Sequence, residues 1–155
     1  MVGNETDHVR PLTPGDFERV VAIDSKRSGS RRESFYAKRL KAASEKPHDF
    51  IYVGIDVDGA LEGFAIAQLL RGEFGDRGTV AVLDAIGVDP DHAHGGLGQS
   101  LMDGLIAVMQ RQDVHELRTE VDWRNHELLH FLAANGFEMA PRLVLERDAT
   151  VPVAL

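Results

Sequence analysis

The chain has 155 residues, no cysteine, and 17 Lys+Arg against 25 Asp+Glu, for a net charge of −8. That length suits a single domain spanning 1–155, and 43% hydrophobic with 27% charged residues is a globular composition. The acidic balance argues against a nucleic-acid partner, and the lack of cysteine excludes disulfides, thiolate nucleophiles and Cys-based zinc sites. No run reaches the ~18 apolar residues of a membrane span, so the expectation is a cytoplasmic protein with no membrane partner.

His8-Val9-Arg10 predicts a short strand. Thr13 before Pro14 predicts a capped helix start, with Phe17, Val20, Val21 and Ile23 on its apolar side. Ser28-Gly29-Ser30 breaks that helix, and a second runs from about Arg31 to Ala43, with Phe35 and Leu40 inward. Phe50 to Ile55 and Leu61 to Leu70 read as strands joined across Asp58-Gly59, a strong hairpin signal. Gly72, Gly75 and Gly78 mark a loop before a strand from Thr79 to Val88. The segment Asp89 to Gly98 leads into a helix with Leu97, Leu101, Leu105 and Val108 on one face. A strand around Leu117 to Val121, a helix from about Asn125 to Ala134, and a last strand from Phe137 to Leu145 complete the chain. This order indicates an α/β domain on a central mixed sheet.

A strand, a glycine-rich turn and a helix start together make an anion site. Unpaired N–H groups of the first helical turn face the ligand, and the helix dipole favours negative charge there. Gly95, Gly96 and Gly98 are placed for that task, although an ordinary tight turn is the competing reading. No Lys-Ser or Lys-Thr pair follows Gly98, which excludes a P-loop, and the dinucleotide fingerprint is also poorly matched.

Val88-Asp89-Pro90 followed by Gly96-Leu97-Gly98 resembles the acetyl-CoA loop of the GNAT acyltransferase superfamily. Asn125, Phe131 and Asn135-Gly136-Phe137 resemble its second signature, an asparagine-led helix ending in Gly-Phe. The resemblance extends from His8 to Arg147. It implies the GNAT fold, a central mixed β-sheet with splayed middle strands flanked by helices, and acetyl-CoA as co-substrate in the cleft. Carried onto this chain, the backbone of Ile86, Gly87 and Val88 meets the pantetheine arm. The N–H groups of His94, Gly95, Gly96, Leu97, Gly98 and Gln99, with Ser100, hold the pyrophosphate. Asn125 and Phe131 border the pantetheine from the second signature helix. A homodimer is a further expectation from the resemblance alone. Two positions depart from the family pattern. Ala93 stands where Gln or Arg is usual, and Leu132 stands where a general-acid tyrosine is frequent.

Acyl transfer to an amine needs a neutral nucleophile, an oxyanion donor and an exit for the proton. The resemblance makes the N–H of Val88 the oxyanion donor. Asp84, a carboxylate in an apolar strand, is the first candidate base, because such a group is expensive there unless paired or functional. Lying four residues before Val88, it is expected to share that residue's face of the strand. Glu73, on the loop before that strand, is the second candidate. His130 is the candidate to replace the missing acid, against the plainer reading of a half-buried helix histidine. His92-Ala93-His94 has metal-ligand spacing, but in a phosphate loop it reads as a polar cap or phosphate partner, and no metal is expected.

Charge is unevenly divided, with 10 basic and 7 acidic residues in 1–46 against 7 and 18 in 47–155. The resemblance implies that the second helix covers the acceptor cleft, which makes Arg31, Arg32 and Tyr36 candidate contacts to the acceptor, a small-molecule or peptide amine. The basic stretch from Lys26 to Lys41 also reads simply as a solvated helix face. The leading expectation is an acetyl-CoA-dependent N-acyltransferase. Its competitors are an acyl-CoA-binding module without turnover and a nucleotide-binding α/β domain.

Overall fold

The computed structural model describes residues 7–72, 78–92 and 95–152, save the side chains of Asp7 and His92. Two compact units divide it, 1–121 and 122–155.

The first unit holds a sheet of β1 (Asp7–Pro11), β2 (Phe50–Val57), β3 (Ala60–Arg71), β4 (Thr79–Val88) and β5 (Glu116–Arg118), in that spatial order. Neighbours are antiparallel except β4 and β5, which run parallel and are joined through α3 (Leu97–Arg111). Helices α1 (Phe17–Ser28) and α2 (Glu33–Glu45) precede β2. Local chemistry explains most boundaries. A 3-10 turn at Pro14–Asp16 leads into α1, with the Asp16 carboxylate accepting from the Thr13 N–H at 2.7 Å. Gly29 ends α1 at φ 78°. Asp58 and Gly59 both have positive φ, as a type I′ hairpin turn requires. Helix α2 begins two residues later than the spacing predicts, because the Arg32 guanidinium turns back to Asp24.

Helices α1 and α2 cover one face of the sheet. Val20, Val21, Ile23 and Tyr36 pack there on Tyr52, Leu61, Phe64 and Ile66. Helix α3 covers the other face with Leu97, Leu101, Met102, Leu105 and Met109. It approaches the sheet closely at Gly104, where an added Cβ would lie 2.6 Å from Cγ1 of Val9. Gly104→Val is therefore expected to cost about 2 kcal/mol by overpacking, seen as a lower urea midpoint, and Val9→Ala to recover part of it.

Two expected elements differ. Strand β5 stops at Arg118 rather than Val121, because its ladder with β4 covers only Val80 to Val82. In the second unit the segment Phe137 to Leu145 is not a strand. Pro141 has no N–H to give a ladder, and Met139, Leu143, Val144 and Leu145 are exposed. That unit is organised instead by α4 (His126–Ala134), capped by Asn125 and closed by Gly136 at φ 86°.

Candidate functional site

Strand β4 pairs with β3 along its whole length but with β5 only at Val80 to Val82. The Thr119 hydroxyl then donates to the Leu83 carbonyl at 3.0 Å, in place of the next ladder bond. From Asp84 to Val88 the outer edge of β4 has no strand partner among the described residues. This is the expected parting of the middle strands, and Ile86, Gly87 and Val88 lie on it.

The register breaks at this point. Ile66 faces Ala85 while Ala67 faces Leu83, so Asp84 is the extra residue of a β-bulge. A bulge inverts the alternation of faces. Val88 lies in one row with Gly63, Ile55 and Val9, on the α3 side. Asp84 turns instead toward α2, its Oδ2 3.6 Å from Nε of Arg39. The expectation that Asp84 and Val88 share a face is corrected by this one inserted residue. Oδ2 of Asp84 is buried without a hydrogen bond. Burial raises the Asp84 pKa above the ordinary carboxylate value, and the Arg39 charge offsets part of that rise.

A second bulge places Glu62 between Leu61 and Gly63 on β3, under α1. Nη2 of Arg19 donates to Oε2 of Glu62 and Oδ2 of Asp89, both at 2.8 Å, and Lys26 donates to Asp89 at 2.9 Å. Burial alone pushes the Asp89 pKa up, but the bonds from Lys26 and Arg19 hold it well below the carboxylate range. No sequence signal marked either bulge. Both were missed because a bulge carrying Glu or Asp lacks the glycine that would announce it.

Helix α3 starts at Gly96, with φ 75° and no side-chain cap. The first bond of that turn runs from the Ser100 N–H to the Gly96 carbonyl, so the N–H groups of Leu97, Gly98 and Gln99 precede the helical ladder. Gly95 and Gly96 are exposed. These groups fit an anionic ligand. His94 and Ala93, like Glu73, lie outside the described residues. A separate apolar cavity of about 320 Å³, lined by Leu12, Leu40, Phe50, Tyr52 and Val108 among others, adjoins the opposite end of α3.

Of the acceptor candidates, Tyr36 lies in the core, whereas Arg31 and Arg32 lie at the surface in ion pairs. Tyr36 is fully buried, edge-on to Phe35 and Phe64, and has no surface to offer a ligand. Arg32 grips Asp24 through Nε and Nη2 and stacks on Phe35. Arg31 pairs with Glu33 at the surface. The basic stretch is largely neutralised within the fold, since Lys26 and Arg39 also meet Asp89 and Asp84.

In the second unit, Asn125 accepts from the Leu128 N–H at 3.2 Å, Phe131 is half-buried and Leu132 is buried. His130 is on the exposed face of α4, not half-buried. Among the described residues no helix is long and apolar enough to cross a membrane.

Residues 17–137 match the acetyltransferase (GNAT) family. A mycothiol acetyltransferase of Propionibacterium freudenreichii subsp. shermanii is 27% identical over 142 residues. That alignment takes in 88% of this chain but 44% of the relative, so the chain spans less than half the relative's length. Among solved structures, AAC(6')-Iy in complex with a CoA-containing bisubstrate analogue superposes with a TM-score of 0.76 at 17% identity, covering 92% of this chain and 97% of that one. The ribosomal-protein-S18-alanine N-acetyltransferase of Escherichia coli gives 0.69 at 24% identity, covering 86% and 79%.

Proposed function

The chain belongs to the acetyltransferase (GNAT) family, and on that premise we propose that it moves an acetyl group from acetyl-CoA directly to an amine. The observation that carries this reading is the bulge at Asp84. It sets a desolvated carboxylate on the α2 side of β4, next to the strand edge that among the described residues has no strand partner beyond Val82. The family match runs across both compact units, which supports treating 1–155 as one acetyltransferase domain.

Acetyl-CoA supplies an activated thioester carbonyl. The open edge at Ile86, Gly87 and Val88 receives the pantetheine amides, and the N–H groups from His94 to Gln99, with Ser100, receive the pyrophosphate. From the family resemblance alone, Asn125 and Phe131 are further candidates for contact with the pantetheine. Asp84 takes the proton from the acceptor amine, directly or through a water, as the nitrogen attacks the acyl carbon. The N–H of Val88 stabilises negative charge on the carbonyl oxygen. The C–S bond breaks, and a thiol with a pKa of about 8.5 can leave as its thiolate, so the leucine at 132 is tolerable. His130 and Glu73 are the remaining candidates for moving protons. The acceptor is a small-molecule or peptide amine, and the setting is cytoplasmic. A homodimer is the assembly that the resemblance supports, and light scattering tests it.

Thiol release from acetyl-CoA with a panel of amines and amino-terminal peptides tests the reaction. Release above the enzyme-free rate supports transfer. Binding by calorimetry without release for any amine points to an acyl-CoA-binding module, the reading that Leu132 favours. Failure to bind acetyl-CoA removes both. Gly96→Val tests the loop: an added Cβ at Gly96 meets nothing within 4 Å in the free chain, so the strain there lies in the backbone at φ 75°. Holding a β-branched residue at positive φ costs about 1–2 kcal/mol. Acetyl-CoA affinity measured by calorimetry is expected to fall about tenfold, since ~1.4 kcal/mol is a factor of ten.

A further inference from the structure

We propose that Arg19 and Lys26 of α1 position the loop between β4 and α3 by clamping Asp89, and that this clamp sets how tightly the loop holds the phosphates of acetyl-CoA. The ligand half of this inference rests on the reading above, whereas the clamp stands on geometry alone.

Asp89 directly follows β4 and is 2% exposed. Its N–H and both of its carboxylate oxygens are hydrogen-bonded. Its N–H donates to the Glu62 carbonyl at 2.8 Å, and its Oδ1 accepts from the Asp91 N–H at 3.0 Å. Its Oδ2 accepts from Arg19 and Lys26 together. Arg19 is itself seated, with Nε donating to the Leu61 carbonyl at 2.7 Å. The two cations are seven residues apart on α1, two helical turns, so they present to one side. The bulge at Glu62 brings the second carboxylate to the same guanidinium. The connection that leads to Gly96 therefore starts from a point fixed on three elements.

Charge gives the clamp its second role. A carboxylate immediately ahead of a phosphate loop repels an anionic ligand unless it is compensated. Arg19 and Lys26 offset the charges of Glu62 and Asp89, and Lys26 also lies 3.5 Å from Asp91. Arg19 is committed to Glu62 and Leu61 as well, so Lys26 is the cation whose removal unbalances Asp89 and Asp91. Its side chain is 45% exposed, and a substitution there spares the core.

The test uses the full chain with Lys26→Met and Lys26→Arg. In the absence of ligand, the hydrogen-bonded amides of Asp89, Asp91 and Ser100 are expected to exchange about tenfold faster in Lys26→Met, with those of β2 and β3 unchanged. Acetyl-CoA binding by calorimetry is expected to weaken about tenfold at low salt, with the deficit shrinking as salt rises. In steady-state assays the loss appears mainly in KM for acetyl-CoA, and Lys26→Arg restores both readouts. Unchanged exchange in a folded Lys26→Met overturns the clamp. Faster exchange with unaltered acetyl-CoA affinity overturns its link to the ligand. A wild-type chain that binds no acetyl-CoA overturns the functional reading and the ligand half together, and the exchange result still decides the clamp.

Discussion

Asp84→Asn is expected to lower kcat by about 10²- to 10³-fold, the usual contribution of a positioned general base, while acetyl-CoA affinity stays within twofold of wild type. The separation follows from geometry. Asp84 faces α2 and Arg39, whereas the N–H groups proposed to hold the phosphates begin ten residues later in the chain, at His94. The pH profile supplies a second signature. A base must be ionised, so kcat/KM rises with pH through the Asp84 pKa, which burial has moved above the ordinary carboxylate value. That limb is lost in the asparagine variant. A limb that follows the acceptor's own pKa when the amine is changed belongs to the amine. Stability moves in the opposite sense. With a raised native pKa, the folded state holds this proton more tightly than the unfolded state. The contribution to stability is therefore full below the unfolded pKa and is lost as pH rises through the native one. At neutral pH the ionised, hydrogen-bond-poor carboxylate opposes folding, so Asp84→Asn is expected to raise Tm by about 3 °C, a shift of roughly 1 kcal/mol in a domain of this size. Reduced turnover with a lower Tm would mark Asp84 as a structural partner of Arg39 instead.

Tyr36→Ala is expected to cost about 3–5 kcal/mol, the penalty for deleting a fully buried aromatic ring. Denaturant unfolding followed by circular dichroism measures it. The ring stands edge-on to Phe35 and Phe64, with centroids at 4.9 and 5.6 Å, and ties α2 to β3. Its hydroxyl accepts from Arg32 at 3.2 Å. Burial pushes the phenol pKa up, so the group stays neutral across the physiological range. Tyr36→Phe is accordingly expected to cost about 1 kcal/mol for the lost hydrogen bond and to leave KM for every acceptor unchanged. A Tyr36→Phe variant with normal stability and a raised acceptor KM would return Tyr36 to the substrate site.

Much of the fold was legible in the residues. The cap at Thr13, the stop at Gly29, the hairpin at Asp58-Gly59 and the left-handed Gly96 before α3 are set by neighbours within a few positions. So is the capped and closed α4 between Asn125 and Gly136. Apolar runs and the hairpin signal placed β2, β3 and β4, and helical spacing identified the buried side of α3. These signals are local sterics and periodicity, which a sequence carries explicitly. The last strand failed because a strand from Phe137 to Leu145 also needs a partner edge, and Pro141 weakens any ladder there.

The site itself needed the tertiary structure. Whether Asp84 points to α2 or to α3 depends on one bulged residue, and a one-residue change of register turns a side chain to the opposite face. Whether Arg32 is available to a ligand depends on Asp24, and whether Asp89 repels an anion depends on Arg19 and Lys26, 70 and 63 positions away in the chain. The same dependence changes the meaning of the −8 net charge. Its sign and its uneven division were readable from composition, but the basic surplus of the first 46 residues proves to be spent largely on carboxylates of the fold. Composition counts charges, whereas only packing decides which of them meet.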